Sequence, residues 1–225
     1  MIYKSCKEND TGAHTSSRVQ IRYSNIEIGY QSRNSYERER LNQIYLKYKN
    51  GDFDHKNLLQ IIQSHGPLPP KMIQSIFNKI IIDPNLFCKF ANKFFNLTCI
   101  IINNDSLTPR LDHDENVIYN LLFLSPDIFL KPNNPYSYDH TYMWSFGCCL
   151  YQCLTGISPF DSFEAMADFI RNKNQLTIDI PQKFNKSENQ SLISLIKSIL
   201  CKKEKESDKL TWEQCLKHCF FSDVF

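Results

Sequence analysis

Cys215, His218 and Cys219 lie three and one residues apart in a stretch of helical pattern, so two thiols and an imidazole would share one face. Thiolate and imidazole are zinc ligands, but a structural site needs four, and no second pair stands nearby. Packing is the favoured reading of this trio. Cys149 and Cys153 are four apart in an apolar run, where buried cysteine acts as a small hydrophobe. The chain holds nine cysteines, an odd number without a disulfide-framework spacing, and Met1-Ile2-Tyr3-Lys4-Ser5 lacks the apolar core of a signal peptide. Reduced thiols in a cytoplasmic or nuclear protein that is not secreted are the expectation. Asn96-Leu97-Thr98 and Asn185-Lys186-Ser187 match the glycosylation sequon, and without a secretory route both are coincidental.

Composition bounds the rest. With 225 residues, 42% hydrophobic and 22% charged, the chain can build one large core, or one core with a small appendage. A net charge of +2 argues against nucleic acid or a membrane surface as a general partner. No apolar run approaches the ~20 residues that span a bilayer. The mixed run Lys202-Lys203-Glu204-Lys205-Glu206 reads as a solvated loop.

The elements that must position any site follow from period and punctuation. Residues 1–20 are polar and aperiodic and read as a flexible arm. Alternation over 19–30 and again over 43–47 predicts strands, with Asn50-Gly51-Asp52 as a turn. From Asp54 the period becomes helical through Leu58, Leu59, Ile61 and Ile62, stopping at Gly66-Pro67. Pro69-Pro70 opens a second helix carrying Met72, Ile73, Ile76, Phe77 and Ile80, and Pro84 marks its end. A short strand at 99–102, a turn at Asn103-Asn104-Asp105 and a returning strand at 107–111 predict a hairpin. A polar turn at Tyr138-Asp139-His140 then leads into an apolar helix over about 139–155, followed by helices over 162–172, 190–200 and 211–217. Segregated strands and helices of this kind make an α+β fold.

The helix at 139–155 also carries a pattern. Trp144-Ser145-Phe146-Gly147, followed by Leu150-Tyr151-Gln152-Cys153-Leu154-Thr155-Gly156-Ile157-Ser158-Pro159-Phe160, resembles the central helix of the protein kinase catalytic domain, D-x-W-S-x-G…L-x-x-L-x-T-G-x-x-P-F. Further short segments fall in the family's order. Asn25-Ile26 is similar to the H-P-N-I before the hinge strand, and residues 45–52 are similar to that strand and the hinge. Ser64-His65-Gly66-Pro67-Leu68 resembles the linker into the long C-lobe helix, and Ser125-Pro126-Asp127 the A-P-E that ends the activation segment. Residues 210–221 resemble the closing R-x-T-x-x-E-x-L-x-H-P-x-F. The resemblance covers about 25–225. It implies a mainly helical C-lobe at 50–225 behind a truncated, vestigial N-lobe and hinge of a few strands at 21–49.

The same resemblance exposes departures. Phosphoryl transfer by a kinase needs a Gly-rich loop, a strand lysine, a catalytic aspartate and Mg²⁺ ligands. Upstream of the hinge the only glycines are Gly12 and Gly29, and no V-A-I-K lysine is recognisable. Counted back from the hairpin, Asn92-Lys93-Phe94-Phe95-Asn96-Leu97-Thr98-Cys99 falls on H-R-D-L-K-P-x-N. Phe94 then stands for the catalytic base, Asn96 for the phosphate-steadying lysine and Cys99 for the metal-binding asparagine. A register slip would make Asn96 that asparagine. No slip recovers an aspartate, because Asp83 is the last acid before Asp105. Phenylalanine cannot take a proton, and a thiol is a poor ligand for a hard cation. Asp112, in Asp112-His113-Asp114 at the D-F-G position, is a candidate metal ligand or a solvated loop acid. Only residues 115–124 separate Asp114 from Ser125, leaving little room for an activation segment.

Asp127 with Lys209 replaces the family's buried Glu–Arg pair, and Trp144 and Gly147 are implied as scaffold residues. The aspartate of D-x-W-S-x-G falls at Tyr142. The resemblance therefore implies a pseudokinase of Ser/Thr type, a scaffold or allosteric module rather than an enzyme. No cofactor is expected, though ATP at the hinge residues Lys47, Tyr48 and Lys49, with Mg²⁺ on Asp112, stays open. A protein partner would meet residues 160–172, with Phe160, Phe163, Met166, Phe169 and Asn172, or the top of the C-lobe left bare by the missing strands. Two alternatives remain: an active Ser/Thr kinase represented by a truncated or mis-assembled chain, and a helical adaptor that only mimics the motifs.

Overall fold

Helix α1 (Leu58–His65) begins with a reciprocal cap. Asn57 Oδ1 accepts from the Gln60 N–H at 2.9 Å, and Gln60 Oε1 accepts from the Asn57 N–H at 3.0 Å, which satisfies two otherwise orphaned donors. Its one-sided stripe Leu58, Ile61 and Ile62 is buried, and Gly66, at φ +83°, ends it. The computed structural model describes residues 56–83, 96–102, 109–111, 121–127, 137–202 and 208–222. The expected arm at 1–20 and the N-lobe strands and hinge at 21–49 lie outside the described residues.

Pro70 opens α2 (Pro70–Ile82), where the missing N–H would have had no partner anyway. Met72, Ile73, Ile76, Phe77 and Ile80 face the core, and Gln74, also buried, donates its amide N–H to the carbonyl of Phe220 near the far end of the chain. The predicted hairpin forms as β1 (Ile100–Ile102) against β2 (Pro109–Leu111), antiparallel, with Ile100 opposite Leu111. The other edge of β1 is occupied too. Asn57 bridges Ile101, and Ile102 N–H donates to Lys56 O at 3.3 Å.

The centre is α3 (Ser137–Thr155), which starts two residues before the expected boundary. The supposed turn Tyr138-Asp139-His140 is its first helical turn, a place where polar and acidic residues are favoured by the helix dipole. Met143, Trp144, Phe146, Cys148, Cys149, Leu150, Tyr151, Cys153 and Leu154 are all buried, so over 143–154 the helix is enclosed on nearly every side, as an all-round apolar stretch must be. Phe146 meets three rings from three other segments: Phe77 at 5.5 Å, Trp212 at 5.3 Å and Phe221 at 6.4 Å between centroids. At the C-terminal end Gly156, at φ +80°, returns its N–H to Gln152 O, and the Leu68 N–H donates to Cys153 O at 2.8 Å. The two Gly-Pro-type exits seen in the sequence thus pack against each other.

Helix α4 (Phe163–Arg171) is capped by Ser162, and α5 (Gln190–Ile199) buries Leu192, Leu195 and Ile196. Between them residues 176–178 form a short antiparallel pairing with 200–202, through Ile178 N–H to Leu200 O and Lys202 N–H to Leu176 O. That pairing is invisible to periodicity because it is one bridge long. The chain closes with α6 (Trp212–Leu216), started by a Thr211–Gln214 capping box, and α7 (Cys219–Ser222). Among the described residues no helix is long and apolar enough to cross a membrane.

α3 and α5 touch at Gly147. A Cβ built there would lie 2.6 Å from Ile199 Cγ2 and 2.9 Å from Leu200 Cδ2, below any normal contact. Gly147→Ala is expected to destabilise the fold by about 1–3 kcal/mol through overpacking, read as a shift in the urea midpoint at unchanged slope.

Candidate functional site

Of the residues that the resemblance assigns to kinase-like chemistry, Asn96 and Cys99 are described, on the 3-10 turn that leads into β1. Asn92, Lys93 and Phe94, the hinge residues Lys47, Tyr48 and Lys49, and Asp112 lie outside the described residues. Asn96 caps the 3-10 turn Leu97–Cys99: its Oδ1 accepts from the Thr98 N–H at 2.7 Å and also from the Thr98 hydroxyl. The carboxamide oxygen that would bind a cation is therefore engaged by the chain itself. Cys99 is 5% exposed and its Sγ lies 4.0 Å from the same oxygen. A buried thiol beside a committed amide is not the hard-oxygen set that Mg²⁺ requires, so the described residues do not fit that ion.

Below the hairpin a polar tether fixes residues 121–127 to the central helix. The buried Ser145 hydroxyl lies 2.8 Å from Phe123 O and 3.0 Å from Thr141 O, so one proton is shared between the two segments. Lys209 Nζ lies 2.5 Å from Asp127 Oδ2, with the side chains only 12% and 22% exposed. The same carboxylate oxygen accepts from the Ser125 hydroxyl at 3.2 Å. Ser125, Asp127, Trp144, Ser198, Lys202 and Lys209 are among the residues around a cavity of about 110 Å³ here. Trp144 is 5% exposed and tilts against Phe169 at 6.3 Å; its indole N–H is buried without an acceptor among the described residues. Gly147 has the close approach to α5 already described.

Sequence reading missed Ser145 and Ser125 as tethers, and Lys202, whose ammonium donates to Phe169 O at 2.6 Å and Asn172 O at 2.5 Å at the end of α4. The Ser of the Trp-Ser-x-Gly stretch was the available signal for the first and the Ser125-Pro126-Asp127 stretch for the second; nothing local marks Lys202.

The cysteines separate by burial. Burial pushes the Cys148, Cys149 and Cys153 thiols well up, and neighbouring thiols add to the effect at Cys149. Cys215 is pushed up to about 12 by burial. These are inert packing thiols at neutral pH. The expected shared face of Cys215, His218 and Cys219 does not exist, because α6 stops at Leu216 and Cys219 starts the next helix, exposed. Among the described residues no group of three or more His, Cys, Asp or Glu could hold a metal ion. His218 instead accepts from the Phe220 N–H at its Nδ1, at 3.2 Å.

Lys209→Met leaves Asp127 without its counter-ion and is expected to lower stability by about 1–3 kcal/mol, with part recovered in the Asp127→Asn/Lys209→Met double variant. Burial holds the His218 pKa below its ordinary value. The unfolded chain therefore takes up a proton first as pH falls, so this contribution is present above about pH 6.5 and is lost through the depressed folded value. His218→Asn should flatten that part of the stability profile, measured by melting temperature between pH 5 and pH 8.

Comparison with known proteins places this architecture. The family described as the protein kinase domain matches residues 101–221. A probable inactive serine/threonine-protein kinase of Dictyostelium discoideum is 34% identical over 210 residues, covering 90% of this chain and 94% of that relative. The serine/threonine-protein kinase 17A of Oryctolagus cuniculus is 31% identical over 128 residues, which is 55% of this chain but only 28% of that protein. Among solved structures, Rad53 1–466 in complex with AMP-PNP superposes with a TM-score of 0.56 at 18% identity, over 75% of this chain and 44% of that one. The helical order around α3, the hairpin and the sequence match over more than half the chain agree, and the chain belongs to the protein kinase family.

Proposed function

We propose that this chain is a pseudokinase: a Ser/Thr-type kinase domain that has kept its scaffold and works through protein contacts instead of phosphoryl transfer. The observation that carries the reading is Cys99. It directly precedes β1, which supports the register counted back from the hairpin, and there it stands in place of a metal-binding asparagine as a buried thiol. Asn96 does not substitute for it, since its amide oxygen caps the neighbouring turn. In sequence, residues 84–104 contain no acid at all, so no general base is available in that stretch. The name of the Dictyostelium relative, a probable inactive kinase, supports the same reading. Rad53 is described in complex with AMP-PNP, so residual nucleotide binding through residues 47–49 and Asp112 is the competing expectation.

What this chain retains is what a docking scaffold needs. The Asp127–Lys209 pair, the Ser145 tether and the α3 core hold the outer helices in fixed positions without any catalytic group. Protein contacts therefore replace turnover as the output, with the α4 region as the contact surface.

The test is a thermal-shift titration with millimolar ATP, with and without Mg²⁺ or Mn²⁺, paired with a labelled-ATP transfer assay on the chain itself and on a general basic substrate. A flat melting temperature and no incorporated label are expected. Nucleotide at a hundredfold excess over its dissociation constant would instead stabilise by about 2.7 kcal/mol, a shift of roughly 5–11 °C. A metal-dependent rise of that size together with label transfer overturns the proposal.

A further inference from the structure

A groove of about 600 Å³ runs between α4 and residues 175–179, open to solvent. Its floor is apolar: Phe160, Phe169 and Ile178 are each 4% exposed, and the two rings meet at 5.5 Å. Both walls are tied to the same short segment. Lys202 holds the last carbonyls of α4 and sits over the Phe169 ring at 4.4 Å, while the backbone pairing of 176–178 with 200–202 holds the other side. A groove braced in this way does not need to be ordered by its ligand, which lowers the entropic penalty of binding.

The charges at its lips differ in availability. Asp168 is paired with Arg171 at 3.2 Å, both side chains largely in solvent. Asp179 Oδ2 accepts from the Gln175 amide at 3.2 Å, and among the described residues no cation pairs with it. The lining charges Asp168, Arg171 and Asp179 sum to one negative, and the Lys202 ammonium sits at the α4 wall on carbonyls rather than on a carboxylate. At the start of α4 Asp161, just before the Ser162 cap, and Glu164 are exposed, and Phe163 stands 50% exposed in the first turn. An open trough suits an extended chain better than a small enclosed molecule.

We infer that this groove docks a basic peptide segment of a protein partner, with a bulky apolar side chain on the Phe160–Phe169–Ile178 floor and an arginine or lysine on Asp179. The inference rests on the protein-contact reading above and names the chemistry of its partner. Affinity comes from the apolar anchor, and direction along the groove from the one carboxylate without a cation.

Fluorescence anisotropy with labelled octapeptides of alternating arginine and leucine tests it against two controls, one with glutamate for arginine and one with serine for leucine. Both controls are expected to bind at least about tenfold more weakly, and added salt to weaken the Arg–Leu peptide. Asp179→Asn should weaken that peptide about threefold to fivefold, as for an exposed ion pair. Ala165→Trp, which fills the trough, should weaken it about tenfold or more. Asp179→Asn is isosteric and serves as the folded variant if Ala165→Trp does not fold. Equal binding of the glutamate peptide, or binding indifferent to both substitutions, overturns the inference. Concentration-dependent dimers in sedimentation that Ala165→Trp abolishes would overturn it in favour of a second copy as occupant. Peptide binding alongside phosphate transfer would leave the groove assignment standing while removing the pseudokinase reading.

Discussion

The enclosure of α3 is the constraint on which the rest of the structure depends. The stretch 143–154 is apolar nearly all round, so the other elements must pack around it or leave apolar surface in water. Phe146 shows how far this reaches, because its ring is the meeting point of α2, α6 and residues next to the C-terminus. Gly147, one residue on, removes the side chain where α5 crosses closest. Bulk at one position and its absence at the next set the two inter-helix distances that fix the lobe.

Polar groups then turn a packed bundle into a specific one. Ser145 reaches from α3 to the carbonyl of Phe123, Asp127 and Lys209 join residues 121–127 to the start of α6, and Gln74 reaches the carbonyl of Phe220. Each leaves a buried group unsatisfied if its partner is displaced, so each penalises an alternative packing more than it stabilises the native one. These tethers have no need of catalytic residues. The helical lobe is therefore held together without any contribution from Asn96 or Cys99, and the proposed scaffold role needs only what these tethers supply.

The α4 region follows from the same core. Phe169 is held from one side by Trp144 of α3 and from the other by the Lys202 ammonium, so one ring couples the core to the groove. Of the apolar residues that the sequence placed at a possible contact surface, Phe160, Met166 and Phe169 are buried and Phe163 alone of the four stands half in solvent. Sequence could not separate them, since a 3.6-residue period marks a helix face without saying whether that face lies against protein or at its edge.

Local signals alone were enough for the helices and the hairpin. The Asn57–Gln60 and Thr211–Gln214 boxes, Pro70, Gly66 and Gly156 are start and stop chemistry acting within a turn, and a run of branched residues at 100–102 set the strand. The pairing of Asp127 with Lys209 was legible only through family order, being 82 residues apart. What tertiary structure alone decided is everything that depends on two distant segments meeting. It buried Cys99 in the core and paired 176–178 with 200–202. It also brought the Lys202 ammonium onto the end of α4. A sequence specifies each segment's own hydrogen bonds and apolar period, but which side chain a long-range contact consumes, and which it leaves available to a partner, is fixed only when the core closes.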